Sequence, residues 1–180
     1  MKVNKEFLIP FAGLKQGKHQ FEFNVGKSFF DDFNYDEFND VDVKVDMVLD
    51  KQSTMMELHF KHEGTVNVPC DVSNEYFDLP VEGSLDIVVK FGEEFNDEDD
   101  EILILPHGEH QVDVSQYVYE MIILSVPTKR VHPGIEDGTM GADVLEKLDE
   151  LAPKEKEENN EQEDNTDPRW DELKKLLTDK

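Results

Sequence analysis

Cysteine is nearly missing from this chain: Cys70 stands alone among 180 residues. One thiol excludes an intramolecular disulfide and falls short of the ~4 ligands that a structural zinc site takes. Long apolar runs are also missing. None approaches the ~20 residues needed to cross a bilayer. The opening Met1-Lys2-Val3-Asn4-Lys5-Glu6 carries charges with no apolar stretch behind them, unlike a secretory signal. These absences lead us to expect a soluble, cytoplasmic protein without a membrane partner. Positive charge is scarce, since 18 Lys and Arg against 43 Asp and Glu leave a net charge of −25. A broad nucleic-acid groove relies on cations that neutralise phosphates, and this chain has few to offer. There is no glycine-rich phosphate loop, no Gly-x-Ser-x-Gly elbow and no His-Glu-x-x-His pair, so no enzyme is indicated by motif.

What is present is a chain with 37% apolar residues and 12 Phe, too rich in core-forming side chains to be wholly disordered. To about Phe91 the apolar residues recur with period two. Phe21, Phe23 and Val25 alternate after a Gly13–Gly17 loop. Val41, Val43, Val45, Met47 and Leu49 alternate with Asp42, Lys44 and Asp46. Met56, Leu58 and Phe60 follow, then Phe77 to Phe91. Successive strand side chains point to opposite faces, so each run builds one apolar and one wet face, as antiparallel strands with one buried side do. The polar link Asp50–Ser53 makes Val41–Leu49 and Thr54–His62 a hairpin, and Ser28 is placed to cap a short helix with Phe29, Phe30 and Phe33.

From Ile102 to Leu151 the spacing turns helical. Val114, Tyr117, Val118, Met121, Ile122 and Ser125 share one helix face, Asp113 with Gln116 resembles a capping box, and Pro127 ends the run. A second helix is expected over Ala142–Leu151, and Pro127–Gly141 between them reads as a loop. Pro153–Pro168 holds seven acidic and two basic residues and no large apolar side chain, the composition of a solvated linker. Asp167-Pro168 then starts a short helix with Trp170, Leu173, Leu176 and Leu177 on one face. Too short to stand alone, it docks either on its own domain or on a partner. The expected fold is α+β, a bent antiparallel sheet or partly open barrel in the N-terminal half packed with helices from the C-terminal half. The expected organisation is a single domain over 1–152, an acidic linker over 153–167 and a helix over 168–180.

The acidic cluster from Glu93 to Glu101 invites a metal reading, but Ile102 stands where a calcium loop that starts at Asp97 needs glycine. A solvated loop is the plain reading. Catalytic carboxylate pairs are defined in space, so a metal-dependent hydrolase or nuclease that uses this Asp/Glu cluster stays as the alternative function. His59 and His62 fall on opposite faces of a strand, and His107 and His110 flank Gly108 without a third ligand. Cys70 shares parity with Val66 and Val68, which suits a buried structural thiol. One segment runs against the prevailing charge, Thr128-Lys129-Arg130-Val131-His132-Pro133. Its cations either offset the partial negative charge at the preceding helix end or touch a phosphate or an acidic partner.

Several stretches together resemble a family. They are Val89–Gly92, Ile102-Leu103-Ile104-Leu105-Pro106, Asp113-Val114-Ser115-Gln116-Tyr117, Ile122–Pro127, Lys129–Pro133 and the closing Asp167-Pro168-Arg169-Trp170-Asp171-Glu172-Leu173-Lys174-Lys175-Leu176. The chain resembles the bacterial YceD-like family, named for large-subunit ribosomal RNA accumulation, in its Bacteroidetes-type form. The resemblance implies a non-enzymatic, cytoplasmic ribosome-biogenesis factor without a cofactor. Reconciled with the acidic body, that role leads us to expect a basic ribosomal protein or a large-subunit ribosomal precursor as partner. Lys129, Arg130, His132, Arg169, Trp170 and Leu173 would be the contacts to partner or RNA. The family often carries a Cys-x-x-Cys pair near its middle. Here Ser73 fills the second position after Cys70, and no cysteine follows Lys129-Arg130, so the resemblance carries no metal site over.

Overall fold

A computed structural model describes residues 5–99, 101–139, 146, 147, 150 and 151. The chain divides into two units, Met1–Gly141 and Ala142–Lys180. In the second, Glu146, Lys147, Glu150 and Leu151 have helical backbone. The rest of the expected helix over Ala142–Leu151, the acidic linker and the C-terminal helix lie outside the described residues.

The first unit begins with a 3-10 turn, Lys5–Phe7, followed by β1 (Leu8–Pro10), β2 (Gly17–Gly26), α1 (Lys27–Asp32), β3 (Asp40–Lys51), β4 (Met55–Pro69) and β5 (Tyr76–Gly92). Then come β6 (Asn96–Asp99), β7 (Ile102–Pro106), β8 (Gln111–Asp113), α2 (Ser115–Ser125) and α3 (Pro133–Glu136). Six strands form one sheet in the order β2-β3-β4-β5-β7-β6, and β1 pairs with β8 in a second, two-stranded sheet. The long strands obey the alternation: Val41, Val43, Val45, Met47 and Leu49 of β3 are buried while Asp42, Lys44 and Asp46 face solvent. Each such side chain removed from water contributes ~1.5–3 kcal/mol, so the core face fixes the register. Phe29 and Phe30 of α1 join it, and Phe30 meets Phe38, Tyr35 and Tyr119 through ring contacts with centroids 5.0–5.9 Å apart.

Three features correct the α+β expectation. Strand dominates the described residues: eight strands stand against three short helices, of which α2 with 11 residues is the longest. The sheet is also mixed, because β7 runs parallel to β5, with Val88 opposite Ile102 and Gly92 opposite Pro106. Ile102-Leu103-Ile104-Leu105, expected in the helical half, is instead this strand, apolar on both faces, with Leu103 and Leu105 buried and Ile102 and Ile104 half-buried between its neighbours. Parallel neighbours ordinarily need a crossover of a dozen or more residues. Here β6 itself makes the return, antiparallel to β7 at the sheet edge. Much of the acidic segment is therefore edge strand rather than loop, and its carboxylates guard that edge against pairing with another chain.

The caps differ as well. Gly26, not Ser28, is the N-cap of α1, and Ser28 lies inside the helix. Asp113 Oδ1 accepts from the Ser115 N–H (2.9 Å) and the Ser115 hydroxyl (2.6 Å), while Gln116 donates to Glu120 Oε1 instead of closing a capping box. The expected Pro127–Gly141 loop contains the single turn α3, whose start is capped by His132 Nδ1 accepting from the Gly134 N–H at 2.9 Å.

Candidate functional site

Two places in the first unit gather polar side chains. One is a junction between the turn after β4, Cys70–Glu75, and the segment between α2 and α3. The Asp71 N–H donates to the Arg130 carbonyl at 2.8 Å, and the Arg130 N–H donates back to Asp71 Oδ2 at 2.6 Å. The Arg130 guanidinium lies 3.3 Å from Asp71 Oδ1 and 3.7 Å from Glu37 Oε2. The backbone N–H of Arg130 holds the Asp71 carboxyl below the usual carboxylate range, and the Arg130 charge adds to it.

Cys70 sits beneath this junction, buried, with Sγ 3.4 Å from the Val72 N, 3.5 Å from the Ser73 N and 3.3 Å from the His132 N. Burial pushes the thiol up, but the Ser73 side chain and the N–H groups of Ser73, His132 and Val72 favour the thiolate more strongly, and the net value is about 7. The expectation of a buried structural thiol fits this position, and the N–H donors around it were not visible in the sequence. The alternation places Cys70 on the core face, whereas a segment sixty residues downstream completes its cage.

The second place is a groove of about 1050 Å3 between the middle of β5, the β6–β7 edge, β8 and α2. It arises where the burial of β5 lapses. Val81 and Ile87 are buried, yet Gly83 between them is exposed although its parity is that of the core. Gly83 lies opposite His62 across the β4–β5 ladder, and a Cβ there would come within 2.7 Å of His62 Cε1. The missing side chain leaves the His62 ring as part of the groove floor. His62 is 4% exposed, and among the described residues neither ring nitrogen has a hydrogen-bond partner. Burial lowers its pKa and keeps the ring neutral at physiological pH. Leu85, Leu103, Leu105 and Met121 supply the apolar part of the floor. Around it stand six carboxylates, Glu82, Asp97, Asp99, Glu109, Asp113 and Glu120, with no Lys or Arg in the lining. None of the six forms an ion pair among the described residues. Tyr117, half-buried beside them, has its phenol pushed up to about 12 by burial first and by the charges of Asp97 and Glu120 second.

The residues expected to contact a partner are thus placed unequally. Lys129 is exposed and enters no ion pair among the described residues. Arg130 is held by Asp71 and Glu37, and His132 caps α3 and packs against Phe77 at 5.4 Å. Neither cation lies in the last turn of α2, so Arg130 serves the junction rather than that helix end. Arg169, Trp170 and Leu173 lie outside the described residues. Among the described residues, no group of three or more His, Cys, Asp or Glu could hold a metal ion. His59 and His62 do face opposite ways: His59 Nδ1 lies 2.8 Å from Asp86 Oδ1 on the wet face, while His62 is buried. The groove is not legible in the sequence because its walls come from elements spread between β1 and α2. The one local signal was Gly83, a glycine within an alternating run.

Among the described residues, no helix is long and apolar enough to cross a membrane. Comparison with known families matches residues 58–177 to the family described as large ribosomal RNA subunit accumulation protein YceD. No curated protein and no solved structure matches the chain.

Proposed function

Because the chain belongs to the YceD family of large ribosomal RNA subunit accumulation proteins, we propose that it supports accumulation or processing of large-subunit ribosomal RNA. In this reading it is a non-enzymatic factor that binds a basic ribosomal protein or a large-subunit precursor particle. The family match over two-thirds of the chain carries the reading. The charge of −25 supports a protein partner over bare RNA, since such a field steers cationic surfaces in and repels phosphates. Local anionic contacts, where ribosomal RNA is near, fall to Lys129, because Arg130 is engaged by Asp71 and Glu37. Arg169, Trp170 and Leu173 are proposed as further contacts from the C-terminal segment.

The test is depletion of the protein in its own cell, with ribosomal RNA and subunits read from gels and sucrose gradients. The expected result is a fall in large-subunit RNA relative to small-subunit RNA, restored by a plasmid copy. Unchanged subunit levels would overturn the proposal. Incubating the purified protein with precursor ribosomal RNA and magnesium or manganese checks the non-enzymatic part: RNA of unchanged length is expected, and metal-dependent cleavage would refute it.

A further inference from the structure

Resting on the reading that the protein binds a basic partner, we propose that the groove between β5, the β6–β7 edge, β8 and α2 docks a cationic amphipathic segment of a protein, lysines and arginines on the carboxylate rim and a short apolar stretch on the floor. Four observations lead to this occupant. A volume of about 1050 Å3 lies at the top of the ~300–1,000 Å3 range of small-molecule pockets, so the space suits several residues of a chain more than a metabolite. Six carboxylates with no cation among the lining residues are complementary to Lys and Arg and repel a phosphate backbone. The apolar side chains at the rim are unusually bare: Leu124 on α2 is 82% exposed and Phe95 beside β6 is 57% exposed. Exposed large apolar groups within a charged rim mark interaction surfaces. Finally, His62 is a buried polar ring without a hydrogen-bond partner among the described residues, lying in the space that a side chain at Gly83 would fill. Buried polar groups are ordinarily hydrogen-bonded, and a turn of this ring toward a docked backbone or side-chain group would supply what it lacks.

The occupant is a protein segment and not a metal ion, because among the described residues no cluster has the geometry to hold one. The rim carboxylates are spread around the groove. Asp99, Asp113 and Glu120 accept local hydrogen bonds, from the Glu101 N–H, Ser115 and Gln116, yet none of the six is neutralised by a cation among the described residues, so several separate cations can be met. Such pairs act chiefly on capture and register, while the apolar floor supplies the burial.

The experiment uses the full chain carrying a photo-crosslinking amino acid at Leu124 or at Phe95, and separately at Val72 or Tyr76, which are exposed apolar positions outside the groove. The probe is total protein extracted from purified large ribosomal subunits, together with intact subunit precursors, and products are identified by mass spectrometry. Two charge reversals accompany it: Glu82→Lys/Asp97→Lys/Glu120→Lys within the groove, and Asp36→Lys/Asp42→Lys/Glu63→Lys at exposed positions outside it, which change the net charge equally. The expected result is crosslinks from Leu124 and Phe95 to a Lys/Arg-rich segment of a ribosomal protein. The groove reversal should lower them at least tenfold, and the outside reversal less than threefold. Retained crosslinks in the groove reversal, equal crosslinks at Val72 and Tyr76, crosslinks to RNA, or crosslinks only to the chain's own residues would each overturn the groove as this site. The first two of these results would still leave the protein bound to its ribosomal partner, so the reading of function would survive them. Absence of any ribosomal product or co-sedimentation with the parent protein would remove both.

Discussion

Replacing Cys70 by serine should abolish a rise of about 2 kcal/mol in stability between pH 7 and pH 9. The reasoning starts from three N–H groups, of Val72, Ser73 and His132, that lie 3.3–3.5 Å from Sγ. Burial opposes the thiolate, and these donors with the Ser73 side chain overcome that cost, so the folded value is about 7 against an ordinary 9.0. The unfolded chain therefore keeps its thiol proton up to about pH 9, while the folded chain releases it near pH 7. A depressed folded value means stability that is present above the unfolded value and lost as pH falls through 7. For one site the contribution is RT ln[(1 + 10^(pH−7))/(1 + 10^(pH−9))], which is about 0.4 kcal/mol at pH 7 and about 2.3 kcal/mol at pH 9. Serine keeps a small hydrogen-bonding group and does not ionise in this range. Urea unfolding of parent and Cys70→Ser under reducing conditions, at several pH values from about 6 to 9, gives the difference directly, since other titrating groups cancel. Thiolate absorbance near 240 nm provides an independent midpoint. A parent-minus-variant difference that stays constant across the range, or a thiolate midpoint near 9, would refute the argument.

Other expectations concern the frame around the two sites. Gly64→Ala should cost at least ~3 kcal/mol by chemical unfolding, because Gly64 has φ +159° and a Cβ there would meet the Asp42 carbonyl and lie 2.6 Å from Val43 Cα; a loss under ~1 kcal/mol would mean that β3 and β4 can part without penalty. Phe30→Ala, at a ring with no exposure beneath Phe29, Phe38 and Tyr119, should cost about 3–5 kcal/mol and is checked the same way. Asp71→Ala removes the acceptor that ties Arg130 to the Cys70 turn, so Cys70 should react several-fold faster with a water-soluble thiol reagent, and an unchanged rate would show that the junction holds without it.

Much of the sheet was legible because its strands have one wet face. The hairpin of β3 and β4, the run through β5 and the α2 stripe of Val118, Met121 and Ile122 all follow from spacing, and they fold where spacing places them. β7 was not legible because its half-buried face also carries apolar residues, Ile102 and Ile104, and four apolar residues in a row do not distinguish strand from helix. The pairing of β5 with β7 was out of reach for a related reason: a parallel ladder is long-range and leaves no turn signature. The junction at Cys70 depends on Asp71 meeting Arg130, 59 positions later, and no periodicity encodes such a contact. What the sequence did show of the site was chemical character: the scarcity of cations, the single thiol, and the Lys129–His132 segment standing against the prevailing charge. Only folding reveals that Arg130 is spent on Asp71 and Glu37 while six carboxylates are left around a groove.

That division of charge leads to opposite salt effects on folding and on binding. Elsewhere the described residues do pair their carboxylates, as when Lys44 meets Glu22 and Asp46, or Lys27 meets Asp31. Around the groove no ion pair forms among the described residues, so mutual repulsion there works against the folded state, and a net charge of −25 adds to it. Raising salt from about 0.02 M to 0.5 M shortens the screening length from more than ~20 Å to about 4 Å, which weakens repulsion between exposed charges. The free protein should therefore become more stable, with a thermal midpoint that climbs by several degrees. Binding of a basic ribosomal protein should weaken over the same range, because screening removes the attraction that the unpaired rim provides. Glu82→Lys/Asp97→Lys/Glu120→Lys should flatten both trends together, since it removes the repulsion and the attraction at one stroke. A partner whose affinity ignores salt, or a free protein whose stability falls as salt rises, would show that the carboxylates serve neither purpose.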